Sequence, residues 1–266
     1  MEVQNRGLIG SITHSIHKKS ELFEHSPVRY MARSFFASFY LAIGVATSTY
    51  MAAKGDHLAE GLGKFLYAAM FSWALIMIIY MNAELGTSNM MYMTWAMHRK
   101  VLTKKRALTI LFTCILFNAL GGYVVSFLLA QTSTFSHLEP DHYIMTATTA
   151  KLLKTPFEQF LEGVFANIIV NTAVFCSIRM KDDAGKIIAM WMVVFIFSFL
   201  GFEHVIANFS LFTLAHYVSH GVVEGMSAAS VLSSFLWSGL GNYVGGGICI
   251  GLLYSWLNTK TELYFD

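Results

Sequence analysis

Glu203 and His204 stand side by side in the middle of residues 187–219, a run of thirty-three in which Glu203 is the only Asp, Glu, Lys or Arg. An ionisable group at bilayer depth costs several kcal/mol unless it faces a bundle interior or a wet cavity. The run also exceeds the roughly 20 residues that one helix needs to cross hydrocarbon. It therefore reads as two half-helices that meet at residues 201–203, with Gly201 as the breaker and the Glu-His pair turned inward.

Composition points the same way. The chain is 55% hydrophobic and 13% charged, with a mean hydropathy of +0.54, whereas soluble domains carry roughly 25% charged residues. Windows almost free of charge fall at 34–53, 65–83, 107–130, 158–178, 187–219 and 227–257, which predicts six spanning elements. The expected organisation is an N-terminal segment 1–29, a six-span domain 30–257 and a short tail 258–266. Residues 1–29 are polar, so no cleavable leader is expected and span 1 would direct insertion. Cys114, Cys176 and Cys249 lie inside apolar windows, where cysteine acts as a small hydrophobe; neither a disulfide nor a metal site is read from them.

Thirteen of the eighteen Lys and Arg residues fall on the side of both termini, from Arg6 to Lys260, against four on the other side: Lys54, Lys64, Lys151 and Lys154. Positive residues collect on the cytoplasmic side, so both termini are expected there. The net charge of +2 is then a topology signal and not the footprint of a nucleic-acid partner.

The chain repeats itself. Between Lys64 and Arg99 the only Asp, Glu, Lys or Arg is Glu84, again mid-run. Glu84 is followed five residues on by Asn89, as Glu203 is by Asn208, and each acid has a nearby glycine, Gly86 or Gly201. Span 3 carries Asn118, Gly121 and Gly122 in the spacing that span 6 repeats with Asn242, Gly245 and Gly246. Three spans followed by three place the halves in opposite orientation. The fold expected is all-α, a 3+3 inverted repeat over about 30–130 and 157–257, with spans 2 and 5 broken mid-membrane.

Glu84 and Glu203 are read as scaffold at the breaks, where carboxylates can accept from orphan backbone N–H groups. Thr87 and Ser88 can donate to a passing anion or satisfy carbonyls. The glycines of residues 241–247 read as a close-packing face; without a lysine and a strand-to-helix setting they are no phosphate loop. His216, His220 and Glu224 share helical spacing, but at an exposed helix end they are not read as a metal site. Leu8, Ile12 and Ile16, with His14, His17 and His25 nearby, predict a short amphipathic helix that covers the inner mouth or anchors at the interface.

Taken together, Glu84, Leu85, Gly86, Thr87, Ser88 and Asn89 in span 2, Asn167 and Val170 in span 4, residues 201–208 in span 5 and residues 241–247 in span 6 resemble the formate/nitrite transporter family. The resemblance covers about residues 20–257. It implies an aquaporin-like protomer of six spans, assembled as a homopentamer in the cell membrane with one pore per protomer and no cofactor. It also implies that His204 is the central pore histidine with Thr87 as its partner, that Asn167 and Asn208 are polar lining, that Phe71 and Phe197 form an outer slit, and that Leu75, Leu85 and Val170 form an inner one. A vestibule lysine would be Lys151, with Lys154 as the alternative.

One departure from the family pattern is Gly86, where an aromatic residue is usual at the inner slit. Its loss is expected to widen that slit and to favour a larger acid such as lactate or acetate over formate. Apolar slits oppose a bare anion far more than a neutral acid, so the expected activity is movement of small monocarboxylates with a proton. Nitrite and hydrosulfide remain alternatives. Two rival classes are weaker: an aquaporin-type solute channel lacks its Asn-Pro-Ala pair here, and an intramembrane enzyme lacks a nucleophile, metal cluster or cofactor motif beside Glu203 and His204.

Overall fold

The structure, a computed structural model, describes residues 7–136, 138–139, 141–220 and 223–259. Arg6 and Lys260, counted above for orientation, lie outside them, as does most of the tail. The chain is a multi-pass helical membrane protein. Helix α1 (Leu8–His25) precedes α2 (Pro27–Asp56), α3 (Leu62–Tyr80), α4 (Gly86–His98) and α5 (Lys104–Ala130); α6 (Tyr143–Leu152) then leads into α7 (Pro156–Arg179), α8 (Asp183–Leu200), α9 (Val205–Val218) and α10 (Ala228–Asn242). A π-helical stretch, Tyr243–Leu252, and α11 (Leu253–Leu257) complete span 6. Six of these units are long and apolar enough to cross a bilayer.

Local chemistry sets the ends. Pro27 and Pro156 occupy first helical positions, where the missing N–H costs nothing, so the helices of spans 1 and 4 begin ahead of the apolar windows at 34 and 158. Thr155 and Glu158 close a reciprocal capping box at the start of α7. Outward faces are greasy at helical spacing, as at Phe112, Leu116 and Leu120 on α5 and Ile188, Met192 and Ile196 on α8. In water those positions would be polar; against lipid or a neighbouring chain they are not.

The breaks lie where the acids predict them, but they are made differently. Span 5 turns at Gly201, whose φ of 75° is open to glycine at little cost. Span 2 turns at Asn82, with a φ of 51°, and Gly86 begins α4 with no left-handed backbone. The two half-helices cross over: α4 packs on the π-helical stretch of span 6, and α9 packs on α5 of span 3. Paired glycines also let spans 3 and 6 close on spans 1 and 4, since a Cβ at Gly121 or Gly245 would collide with the carbonyl oxygen of Phe35 on α2 or Val164 on α7. Helix α1 docks Ile12 and Ile16 into an apolar cluster with Met91, Trp95 and Ile110.

Candidate functional site

Each broken helix begins with backbone N–H groups that lack an intrahelical partner. Asn118 Oδ1 accepts from Gly86 N at 2.7 Å, and Asn242 Oδ1 accepts from Val205 N at 2.8 Å. Their amides reach back, Asn118 Nδ2 to Ser34 O (2.6 Å) and Glu84 O (2.9 Å), Asn242 Nδ2 to Gly163 O (2.8 Å) and Glu203 O (2.9 Å). These asparagines, legible in the sequence only as a repeated spacing, clamp both breaks. The carboxylates are scaffold of another kind from that expected, for they bind cations and amides in place of backbone N–H groups. Glu84 Oε2 takes Lys19 Nζ at 2.6 Å and Asn89 Nδ2 at 2.9 Å. Glu203 Oε1 takes Lys151 at 3.0 Å and Lys154 at 2.7 Å, while Oε2 takes Asn208 Nδ2 at 2.6 Å.

The two outer lysines differ in what they leave over. Lysine has three donors. Lys154 spends all of them, on Glu203, Glu162 and Gly201 O, whereas Lys151 contacts Glu203 and Phe202 O and lines the outer pocket. Burial pulls the Lys151 ammonium below the usual lysine range despite Glu203. Burial acts on Lys154 as well, but Glu203 and Glu162 outweigh it and raise its pKa. Lys154 is thus the fixed counter-ion and Lys151 the one facing the pore.

His204 caps α9: its Nδ1 accepts from Ala207 N at 3.1 Å. The neutral ring that makes this bond carries its proton on Nε2, which sits 2.8 Å from Thr87 Oγ1. Thr87 then accepts from the ring and keeps its own O–H for another acceptor. Of the two readings of Thr87, donor to a passing group or carbonyl partner, this geometry favours the first.

Around His204 the walls are apolar. Phe71 and Phe197 meet edge to face at 5.8 Å, and Phe197 lies 6.0 Å from the imidazole. On the outer side Phe71, Phe197, His204, Asn208 and Lys151 line a cavity of about 30 Å³; on the inner side Leu75, Leu85, Val170, Phe71, Phe197 and His204 line one of about 10 Å³. A single water needs ~10–15 Å³, so this resting path is one molecule wide or less. Beyond Leu85 a cavity of about 280 Å³ opens, lined by Ser88, Glu84, Lys19 and His14 under α1.

Three expected pore residues line none of these cavities: Thr87, which meets the lining at His204 Nε2, Asn167 and Gly86. Asn167 does not line either cavity; its Nδ2 donates to Thr87 O (3.1 Å) and Asn242 O (2.7 Å), tying the two breaks together. Gly86 does not face the slit either. A Cβ there would meet Ile115 Cγ1 at 2.9 Å, Asn118 Oδ1 at 3.0 Å and Ile206 Cδ1 at 3.3 Å, so the position is small because it packs on spans 3 and 5. The argument for a wider slit and a larger acid loses its basis. Gly86→Phe is expected to prevent assembly, since overpacking costs about 1–3 kcal/mol even for added methylenes and this ring would also dislodge the Asn118 clamp. An intact oligomer on size exclusion with an altered lactate-to-formate flux ratio would restore Gly86 to the pore.

Comparison with known proteins bears on the family and the fold. The family model described as "Formate/nitrite transporter" matches residues 8–256. The nitrite transporter NirC of Escherichia coli is 27% identical over 244 residues, covering 91% of this chain and 88% of its own. Among solved structures, an FNT family ion channel superposes with a TM-score of 0.85 at 24% identity, over 95% of this chain and 98% of that one. A pentameric formate channel with formate bound superposes with a TM-score of 0.70 at 21% identity, over 86% and 96%.

Proposed function

The chain belongs to the formate/nitrite transporter family, a family of channels and transporters and not of enzymes, and from that premise we propose that it carries small monocarboxylic acids, formate and its short homologues, across the cell membrane together with a proton. The observation that carries this reading is the neutral, capped His204 beside Thr87 between two apolar constrictions. Stripping an ion of water costs on the order of several kcal/mol even after relaxation, against little for the neutral acid. Cavities of about 30 and 10 Å³ leave no space for a hydration shell.

The sequence of events follows from the chain's own groups. Lys151 attracts the anion and weakens its hydration at the outer pocket; with fewer waters the carboxylate becomes more basic and takes a proton from the vestibule. The neutral acid passes the outer slit and accepts a hydrogen bond from the Thr87 hydroxyl. His204 in its resting tautomer has one proton, already directed at Thr87, so it holds the donor in place and can hand on a proton only after receiving one at Nδ1. The acid then crosses Leu75, Leu85 and Val170 and ionises in the inner cavity. Both termini face the cytoplasm, and the protomers assemble as a pentamer, as in the solved formate channel that shares the fold.

Proteoliposome flux of formate, lactate, nitrite and hydrosulfide, with internal pH recorded, tests the reading: formate is expected to move fastest and to carry one proton each. Faster nitrite movement without proton uptake would overturn it. Lys151→Ala is expected to cut formate uptake at dilute substrate about tenfold, the low end of what focused charge contributes to capture, and to leave uptake at saturating formate nearly unchanged. Lys154→Ala should instead lower thermal stability. The reverse pattern would mean that Lys154 is the capturing residue.

A further inference from the structure

Helix α6 lies outside the six spans and packs on α2 and α9. Tyr143, its first residue, and Lys151 share a face, since residues 143, 147 and 151 recur at helical spacing and span about 12 Å. Its far end faces the outer pocket through Lys151. Its near end faces a cavity of about 580 Å³ that Tyr143, Tyr50, Lys54 and His142 line.

Tyr143 opens an unbroken series of rings leading inward. Its centroid is 5.5 Å from Tyr67; Tyr67 stacks on Phe71 at 5.9 Å with planes 10° apart; Phe71 meets Phe197 at 5.8 Å; and Phe197 lies 6.0 Å from His204. Tyr67 also lines the pocket of Lys151. The Tyr143–Tyr67 pair therefore stands between the large outer cavity and that pocket.

The large cavity is not itself an anion trap. Asp56, Glu139 and Asp141 line it and outnumber Lys54, so net attraction for a carboxylate begins at Lys151. What separates the two is a pair of tyrosines, apolar in the ring and polar at the tip. Such a pair can bind a carboxyl group with its hydroxyls while sorting the attached group by width.

We propose that Tyr143 and Tyr67 form the outermost selectivity constriction of the pore, admitting small carboxylic acids from the outer cavity to Lys151 according to the size of the group on the carboxyl carbon; this rests on the functional reading above. The constriction acts before the Phe71–Phe197 slit, so it sets which acids reach the protonation pocket.

The test uses the full chain in proteoliposomes, in a background with Cys176→Ser and Cys249→Ser that leaves Cys114 buried. Tyr143→Cys, at a half-buried helix start, is labelled from outside with a bulky methanethiosulfonate. Formate flux is expected to fall about tenfold on labelling, the scale at which pocket size discriminates, and to return on reduction. Tyr143→Ala is expected to raise the lactate-to-formate flux ratio by about the same factor. Undiminished formate flux through a fully labelled Tyr143→Cys oligomer would overturn the constriction, as would an unchanged ratio in assembled Tyr143→Ala. The parent chain separates the two claims. If it passes formate while Tyr143 is indifferent, only the constriction fails; if it passes no monocarboxylate, the functional reading fails first.

Discussion

Replacing His204 by asparagine is expected to leave the oligomer assembled but to remove the protein's own inflection from the pH dependence of formate flux, whereas His204→Leu is expected to reduce flux to that of protein-free vesicles. The imidazole does two jobs: Nδ1 caps Ala207 N and Nε2 meets Thr87 Oγ1. Asparagine is itself a good helix cap and has an amide donor, but unlike imidazole it takes up no proton. Leucine does neither job. Losing the cap costs ~1 kcal/mol, and the buried Thr87 hydroxyl is left without its partner for about 1–3 kcal/mol more. The measurement must hold the concentration of undissociated acid constant as pH varies, so that substrate supply cannot mimic titration of the protein. Identical profiles for His204→Asn and the parent would make His204 a scaffold residue alone.

The breaks were visible in the sequence because charge in hydrocarbon is rare and so cannot be accidental. Glu84 and Glu203 marked both turns, and the Asn-x-x-Gly-Gly spacing of spans 3 and 6 marked their partners. What the asparagines hold was not visible, because the contacts of Asn118 with Gly86 and Ser34 run between spans and no spacing within one helix encodes them. Gly86 misled for a related reason. A glycine beside a break suggests a turn or an open slit, yet here the turn is at Asn82 and the glycine answers to Ile115 and Ile206 on other helices. Asn167 fell out of the pore in the same way, its amide drawn to carbonyls on α4 and α10. Lys19 was counted only as a topology signal, although α1 carries it to Glu84. The π-helical stretch of span 6 had only its glycines as a sign, and those fit an ordinary helix equally well.

The inner and outer acids repeat each other in sequence but are not equal in consequence, and the second large effect follows from that. Glu203 is fully buried and answers two lysines, Lys151 and Lys154, whose side chains are 14% and 20% exposed. Removing one member of a buried pair costs about 3–5 kcal/mol, because the remaining charge is stranded. Glu203→Leu strands Lys151, leaves Lys154 with Glu162, and also frees Asn208, so no stable oligomer is expected in detergent. Among the described residues Glu84 answers one cation, Lys19, beside the Asn89 amide, and Lys19 sits on α1, a helix outside the spans that can withdraw to water. Glu84→Leu should therefore assemble, with α1 released and its N-terminal segment more open to protease. The double variant Glu203→Leu with Lys151→Met removes the stranded charge and is expected to recover part of the thermal stability lost in the single one. Equal stability of Glu203→Leu and Glu84→Leu would show that burial of the acid, and not the stranding of a buried cation, governs both sites.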